Sequence, residues 1–311
     1  MAVNMKGKSL LTIHDLTLEE VEQIFDTART LKLERMMGKL INPILSGKTL
    51  AMIFEKASTR TRMSFELAIH ELGGHPVYLS SKDMQIGRGE TIADTARVLS
   101  RYVHGIEARV FEHDKLVQMA KYGSVPIVNG LSDLTHPCQV LADLFTVQEK
   151  LGGPAGLKLV YMGDGSNNMA HSLLYGCAKV GMDITICTPQ GYLPNEEVMK
   201  NAQADADASG STIEISYDPQ TAVADADVIY TDVWASMGQE EEHAKRVKEM
   251  MPFQVNAALM AKAEGAIFMH CLPAHRGEEV TDEVCDAPYS VIFDEAENRL
   301  HVQKAILALL M

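Results

Sequence analysis

The chain has 311 residues, of which 46% are hydrophobic and 23% charged, a composition typical of a globular protein long enough for two domains. Its 28 Lys and Arg against 42 Asp and Glu give a formal net charge of −14, which argues against nucleic acid or an anionic membrane as a partner. The five cysteines include no C-x-x-C pair, which argues against a disulfide framework and favours a reducing compartment. Without a signal peptide or an apolar run of transmembrane length, the sequence predicts a cytoplasmic protein.

Strand-like and helix-like segments alternate along most of the chain. A first helix is predicted after Thr17, which forms a capping box with Glu20. The predicted strands are 48–54, 75–79, 106–111, 125–128, 157–162, 183–187, 212–216, 227–231 and 266–269. The later predicted helices are 60–72, 91–102, 114–122, a long helix from His136 to the GGPAG break at 152–156, 167–180, 195–207, and a last helix capped by Asp294.

Two successive βα series separated by a Gly/Pro-rich junction predict an α/β fold with two doubly wound parallel-sheet domains joined by interdomain helices. We expect the first domain to span residues 1–150 and the second to span 151–293. A C-terminal helix of about 294–311 is expected to pack back onto the first domain. Ligands of such sheets bind beyond the carboxyl ends of the strands, so the cleft between the domains is the expected site.

The most informative segment is Ser58, Thr59, Arg60, Thr61 and Arg62, between a predicted buried strand and a predicted helix. The free N–H groups of a helix N-terminus favour an anion, and arginine adds forked donors that match phosphate. A capped helix with two solvated arginines is the alternative, but five such residues in succession favour a phosphate site. On an acidic protein, that site must be a local positive pocket.

His136 and Gln139 open the long predicted helix, one turn apart on the same side. Such a pair is often structural, but its place at the domain junction makes a functional role equally plausible. Asp232 follows a predicted strand and precedes Trp234, which favours a site for a cation such as an amino group.

The segment around Cys271 follows another predicted buried strand. Because a residue before proline is usually extended, Leu272 is expected to be extended and to direct the Cys271 thiol into the cleft. Cys271 is then either a nucleophile activated by a base or a small buried thiol. His270, Cys271 and His275 have poor spacing for zinc, so no metal is predicted.

The segment Gly163–Asn168, GDGSNN, lies between a predicted strand and a predicted helix. It resembles the dinucleotide fingerprint G-x-G-x-x-G, but Asn168 stands at the third glycine and no acid follows at the end of the next strand. A nucleotide site is therefore disfavoured, whereas asparagines at a helix N-terminus suit a carboxylate.

STRTR, QIGRGE, HPCQ, DVWASMG and HCLP occur in this order, and over essentially its full length the chain resembles the aspartate/ornithine carbamoyltransferase family. Within that family, DVWASMG, HCLP and Gln85, where aspartate carbamoyltransferases use a lysine, favour ornithine as the acceptor. The resemblance implies transfer of the carbamoyl group of carbamoyl phosphate to the δ-amine of L-ornithine, giving L-citrulline and phosphate, without metal or cofactor. The short length favours arginine biosynthesis, and the reverse reaction in arginine breakdown is the alternative.

The resemblance also implies roles for individual residues. Those implied for catalysis are Arg109, His136, Cys271 and Asp232. Those implied to bind carbamoyl phosphate are Ser58, Thr59, Arg60, Thr61, Gln85, Arg109, His136, Gln139, Cys271, Leu272 and Arg299. Those implied to bind ornithine are Asn168, Asp232, Ser236 and Met237, with Asn167 as the alternative to Asn168. Gln85 is implied to reach a neighbouring subunit's site, which makes the catalytic unit a homotrimer.

Three alternatives stay open from the sequence. The first is a carbamoyltransferase whose acceptor is putrescine or a modified ornithine. The second is a nucleotide-dependent oxidoreductase, and the third is a catalytically silent relative.

Overall fold

The computed structural model describes residues 2–85, 89–235 and 243–311. The chain forms two compact units, a first unit of Met1–Phe145 with Glu297–Met311 and a second unit of Thr146–Ala296. Both divisions fall inside helices, so α5 (Pro137–Leu151) and α12 (Ile292–Leu310) each begin in one unit and end in the other.

The first unit contains a sheet of four parallel strands in the order β2-β1-β3-β4. Its strands are β1 (Thr49–Phe54), β2 (His75–Ser80), β3 (Gly105–Arg109) and β4 (Ile127–Leu131). The helices that precede or follow these strands are α1 (Leu18–Met36), α2 (Thr59–Glu71), α3 (Ile92–Leu99) and α4 (His113–Tyr122). The strand order reverses between β1 and β3, and this topological switch point is where open parallel sheets bind ligands.

The second unit contains a sheet of five parallel strands in the order β7-β6-β5-β8-β9. Its strands are β5 (Lys158–Met162), β6 (Asp183–Cys187), β7 (Ile213–Ser216), β8 (Val228–Thr231) and β9 (Ile267–His270). Its helices are α6 (Asn168–Val180), α7 (Glu196–Ser209), α8 (Pro219–Ala222), α9 (His243–Met250), α10 (Ala257–Met260) and α11 (Asp282–Cys285). The order reverses between β5 and β8, which defines a second switch point.

The predicted fold class is confirmed, because both sheets are parallel and their strands alternate with helices. The capping box is also confirmed: the Thr17 side chain accepts from the backbone N–H of Glu20, and the Glu20 carboxylate accepts from that of Thr17. Each unit has its own apolar core, formed around Ile53 and Ile106 in the first unit and around Ile229 and Phe268 in the second. None of the helices in the described ranges has the length and apolar character needed to cross a membrane.

Two local predictions are wrong. The last helix begins at Ile292, so Asp294 lies in its first turn, where an acid is favoured by the helix dipole without acting as the cap. Leu272 is not extended: its φ is 58°, and the Leu272–Pro273 peptide bond is cis. The backbone N–H of Leu272 donates to Nδ1 of His270 at 2.9 Å, a contact that the sequence rule for residues before proline does not include.

Candidate active site

The first unit places the N-terminus of α2 at the end of β1. Ser58 is the N-cap residue, and its hydroxyl accepts from the backbone N–H of Thr61 at 3.2 Å. Thr59 and Arg60 form the first turn, which carries no acidic residue. Within the described part of the chain, nothing accepts a hydrogen bond from the buried Nε of Arg60. A helix N-terminus with such a donor suits an anion.

Two buried arginines converge on Thr61. Its Oγ1 accepts from Nη2 of Arg299 at 2.6 Å and from Nη1 of Arg109 at 3.4 Å. Arg109 is the last residue of β3, next to β1 in the sheet, and Arg299 comes from α12. All three side chains are buried. Two guanidinium groups removed from water create a strong positive potential that a bound anion would offset.

His136 and Gln139 lie at the start of α5, and both are buried. Burial, together with the positive charges of Arg299 and Arg109, lowers the pKa of His136 well below its ordinary value, so the imidazole is neutral. A neutral imidazole still has one N–H to donate. The Nε2 of Gln139 donates to Oδ1 of Asp143 at 2.8 Å, so Oε1 is the acceptor end of that amide.

Lys56 is a further cation of this region that the sequence analysis did not assign. Burial lowers the pKa of Lys56, and the nearby Arg109 lowers it further, while Asp133 and Glu55 oppose the shift. Its ammonium lies 4.4 Å from the ring centroid of Phe111. The sequence feature that could have identified Lys56 is its position two residues before Ser58.

Gln85 lies in the segment that follows β2. It is exposed, at the end of the described range 2–85, and its backbone carbonyl accepts from the N–H of Glu90 at 3.2 Å.

In the second unit, Asp232 and Cys271 come together at the ends of β8 and β9. The Cys271 thiol donates to Oδ1 of Asp232 at 3.1 Å, and the backbone N–H of Val233 donates to the same oxygen at 2.8 Å. Burial raises the pKa of Asp232, although the neighbouring His270 and these two hydrogen bonds oppose the shift. A buried carboxylate of this kind is stabilised in its charged form by a bound cation.

The two asparagines of GDGSNN have different positions. Asn167 is the N-cap of α6: its Oδ1 accepts from the N–H of Ala170 at 2.8 Å, and its Nδ2 donates to the Tyr161 hydroxyl at 2.7 Å. Asn168 is the first helical residue and is half-buried. Both ends of the Asn167 amide bind within the unit, and the assignment of Asn168 as the ornithine ligand stays a prediction.

The second glycine of this segment has a packing role. A Cβ atom added at Gly165 would lie 2.6 Å from the backbone carbonyl oxygen of Tyr192. The close approach of this carbonyl therefore accounts for the glycine, and a bound nucleotide is not needed to explain it.

Asp164 and Arg246 form a buried ion pair that the sequence analysis missed. Nη1 of Arg246 donates to Oδ2 of Asp164 at 2.5 Å and to the backbone carbonyl of Trp234 at 3.3 Å. The pair joins the loop after β5 to α9 and to the segment after β8. The predicted ligands Ser236 and Met237 lie outside the described residues.

The ligand atoms of Asp232, His270 and Cys271 lie within 4.8 Å of one another, which is close enough for a metal. However, Nδ1 of His270 accepts from the N–H of Leu272 at 2.9 Å, and its Nε2 lies 3.2 Å from Oε1 of Glu279. Because Nδ1 accepts, the ring proton is on Nε2 and is donated to Glu279. Both nitrogens of His270 are engaged, so this group is a poor metal site.

Taken separately, the first unit has the features of an anion-binding parallel α/β domain and the second those of a domain that binds a cationic group. The chain belongs to the aspartate/ornithine carbamoyltransferase family. The carbamoyl-P binding domain model of this family matches residues 8–149, and its Asp/Orn binding domain model matches residues 155–310.

Known proteins resemble the chain over its whole length. An ornithine carbamoyltransferase of Pyrococcus abyssi is 58% identical over 312 aligned residues, which cover 100% of this chain and 98% of the relative. An anabolic ornithine carbamoyltransferase of Pyrococcus furiosus is 57% identical with the same coverage. The solved structure of ornithine carbamoyltransferase from Pyrococcus furiosus superposes with a TM-score of 0.96 at 56% identity, covering 100% of this chain and 99% of that one.

Proposed function

We propose that this chain transfers the carbamoyl group of carbamoyl phosphate to the δ-amine of L-ornithine, giving L-citrulline and phosphate. The observation that carries the proposal is the convergence of Arg109 and Arg299 on Thr61 at the N-terminus of α2. The whole-length similarity to ornithine carbamoyltransferases supports the choice of acceptor.

In this proposal, the first unit holds the phosphate. Backbone N–H groups of α2 and the side chains of Ser58, Thr59, Arg60, Thr61 and Arg109 donate to its oxygens. The leaving phosphate gains negative charge as the bond between carbon and bridging oxygen breaks, so fixed donors favour this step. Carbamoyl phosphate is already activated, and the reaction therefore requires no cofactor.

The carbonyl oxygen of the carbamoyl group becomes negative when the amine attacks. Neutral His136 and the guanidinium groups of Arg109 and Arg299 are the proposed donors to that oxygen, with the Thr61 hydroxyl beside them. The Gln139 side-chain oxygen and the Leu272 backbone carbonyl are the proposed acceptors for the carbamoyl NH₂ group. This set of contacts orients the carbonyl carbon toward the amine.

The second unit is proposed to hold ornithine. The Asp232 carboxylate pairs with the α-ammonium group, while Asn168, Ser236 and Met237 bind the remaining α-amino-acid atoms. Cys271, bonded to Asp232, lies close to the attacking amine and completes the contacts to the carbamoyl group. The δ-amine attacks as the neutral base, and the proton that it loses on forming the C–N bond leaves with phosphate or solvent.

We further propose that the chain works as a cytoplasmic homotrimer in arginine biosynthesis. The exposed Gln85 is proposed to contact the active site of a neighbouring subunit, and its exposure is consistent with that role. The name of the anabolic relative supports the biosynthetic direction. Sedimentation of the purified protein tests the trimer: a monomer at assay concentrations contradicts it.

The proposed reaction is tested by measuring citrulline formed from carbamoyl phosphate and ornithine. Arg60→Ala is expected to lower kcat/KM about 100-fold or more, because it removes a charged donor to the phosphate. Arg29→Ala is the matched control, since that exposed arginine on α1 bonds its neighbour Asp26 three residues away on the same helix. No citrulline from the wild-type protein, or equal activity of the two variants, contradicts the proposal.

A further inference from the structure

His243, His275 and Glu278 form a second cluster of metal-ligating side chains, separate from the residues assigned to ornithine. Their ligand atoms lie within 4.8 Å of one another. Nε2 of His243 is 3.0 Å from Oε2 of Glu278, and Nδ1 of His275 is 3.7 Å from the same oxygen. Each side chain is partly open to solvent, with exposures of 40%, 44% and 30% respectively, so an ion can reach the cluster.

These distances match those between ligands of one zinc ion. Zinc binds histidine nitrogen and carboxylate oxygen at about 2.0–2.2 Å, and tetrahedral angles then separate two ligand atoms by roughly 3.4 Å. The separations of 3.0 and 3.7 Å lie on either side of that value. Two histidines and one glutamate also form a known protein ligand set for zinc, in which water takes the fourth position.

The backbone holds two of the three ligands in place. The N–H of Glu278 donates to the carbonyl of His275 at 2.9 Å, and the N–H of Gly277 donates to the carbonyl of Val280 at 2.8 Å. The Gln254 amide donates to the carbonyls of Gly277 and Glu278 at 3.1 and 2.8 Å. His275 and Glu278 are therefore presented from one formed turn, and His243 is added from the first residue of α9.

The turn is also connected to the segment that carries Cys271. Oε1 of Glu279 accepts from the backbone N–H of His275 at 2.5 Å and lies 3.2 Å from Nε2 of His270. An ion bound by the cluster would thus join the start of α9 to a turn that is bonded to His270.

We propose that His243, His275 and Glu278 bind one divalent transition-metal ion of the zinc class, with water in the remaining position. The ion stabilises the second unit by connecting α9 to the 275–280 turn. It takes no part in carbamoyl transfer, so this proposal stands independently of the proposed reaction.

The test is a titration of the full-length protein with Zn²⁺ in competition with a chromogenic chelator, in a Cys271→Ser background. That substitution removes the thiol of the Asp232, His270 and Cys271 group. We expect the Cys271→Ser protein to bind one Zn²⁺ per chain. A further His243→Ala or His275→Ala substitution should weaken the affinity for Zn²⁺ by about 100-fold or more, because each removes a residue that binds the ion directly. His75→Ala, which alters an exposed histidine on β2, is the control and should retain the wild-type affinity.

A second readout uses Co²⁺ as the probe. Coordination by the cluster predicts visible d–d absorption without the near-ultraviolet thiolate-to-cobalt charge-transfer band, since no cysteine is a ligand. Circular dichroism of each variant checks that it is folded. Loss of stoichiometric binding on Cys271→Ser alone, or unchanged affinity in folded His275→Ala protein, overturns the proposal.

Discussion

Nη2 of Arg299 donates to Oγ1 of Thr61 at 2.6 Å, although the two residues are 238 positions apart in the chain. The contact brings a cation from the last helix to the N-terminus of α2, where Arg109 also donates to the same hydroxyl. Because Thr61 is fully buried, its hydroxyl is the fixed point at which two guanidinium groups are oriented. The anion site of the first unit therefore depends on the C-terminal helix as much as on STRTR itself.

This arrangement predicts that Thr61→Val weakens catalysis while preserving side-chain volume. The variant loses the hydroxyl that accepts from Arg299 and Arg109, so kcat/KM for carbamoyl phosphate should fall about 10- to 100-fold. Thr61→Ser keeps the hydroxyl and should retain most of the activity. Steady-state kinetics with varied carbamoyl phosphate measures both, and wild-type kinetics in the valine variant would show that the hydroxyl does not orient the arginines.

The docking of α12 predicts a large effect of Lys304→Met. Nζ of the buried Lys304 donates to Oε2 of Glu71 at 2.7 Å, and Arg35 donates to the other oxygen at 3.1 Å. Burial of Glu71 opposes ionisation, but these hydrogen bonds hold its pKa below the ordinary value of 4.5, so it is charged at neutral pH. Removing Lys304 leaves that charge insufficiently paired and should lower the free energy of unfolding by about 3–5 kcal/mol.

Urea unfolding measures this effect. Lys39→Met is the control, because solvent screens the partly exposed pair of Lys39 with Glu34, so its loss should be far less destabilising. Equal destabilisation by the two substitutions would mean that the buried pair contributes no more than a surface one.

The buried Glu107 on β3 predicts a pH-dependent stability. Among the described residues, neither of its carboxylate oxygens has a hydrogen-bond partner, and burial raises its pKa well above the ordinary value of 4.5 despite Arg109 and Arg299. At pH values between 4.5 and that raised pKa, Glu107 binds more protons in the folded chain than in the unfolded chain. Stability is therefore lost as pH rises through this range. Glu107→Gln, which cannot ionise, avoids this loss.

As pH rises through that window, the free energy of unfolding of Glu107→Gln should increase relative to that of the wild type by up to about 1.4 kcal/mol per pH unit. Denaturant unfolding at several pH values measures it, and Glu22→Gln on the exposed face of α1 serves as the control. A difference between Glu107→Gln and the wild type that does not change with pH would mean that Glu107 is ionised in the folded chain.

The position of Asp232 predicts a selective loss of acceptor binding. Asp232→Asn removes the proposed partner of the ornithine α-ammonium group, so kcat/KM for ornithine should fall about 100-fold, while KM for carbamoyl phosphate changes within about two-fold. Asp207→Asn, at an exposed position of α7, is the control. A similar rise in KM for both substrates would mean that Asp232 supports the structure generally and does not bind the acceptor.

The parallel sheets could be predicted because each strand and helix is encoded locally. Apolar strands alternate with helices whose starts carry recognisable caps, such as Ser58 at α2 and Thr17 at α1. The end of a predicted strand then indicated where Asp232 would lie, whereas Arg109 was assigned only through the family resemblance.

Long-range contacts could not be predicted from local patterns. Arg299 with Thr61 and Asp164 with Arg246 are pairs separated by 238 and 82 positions, and neither has a periodic signature. The conformation of Leu272 was also missed, because its backbone bonds the His270 ring, whereas the rule for residues before proline considers only adjacent atoms.

The central claim is tested most directly by one acceptor comparison, in which the wild-type protein and carbamoyl phosphate are assayed with ornithine, putrescine, N-acetylornithine and aspartate. The account predicts that kcat/KM for ornithine exceeds that for each other acceptor by about 100-fold or more, because the buried Asp232 needs the free α-ammonium group that they lack or present differently. Equal or faster carbamoylation of another acceptor would contradict the assignment of ornithine, and no carbamoylation of any acceptor would contradict the proposed reaction.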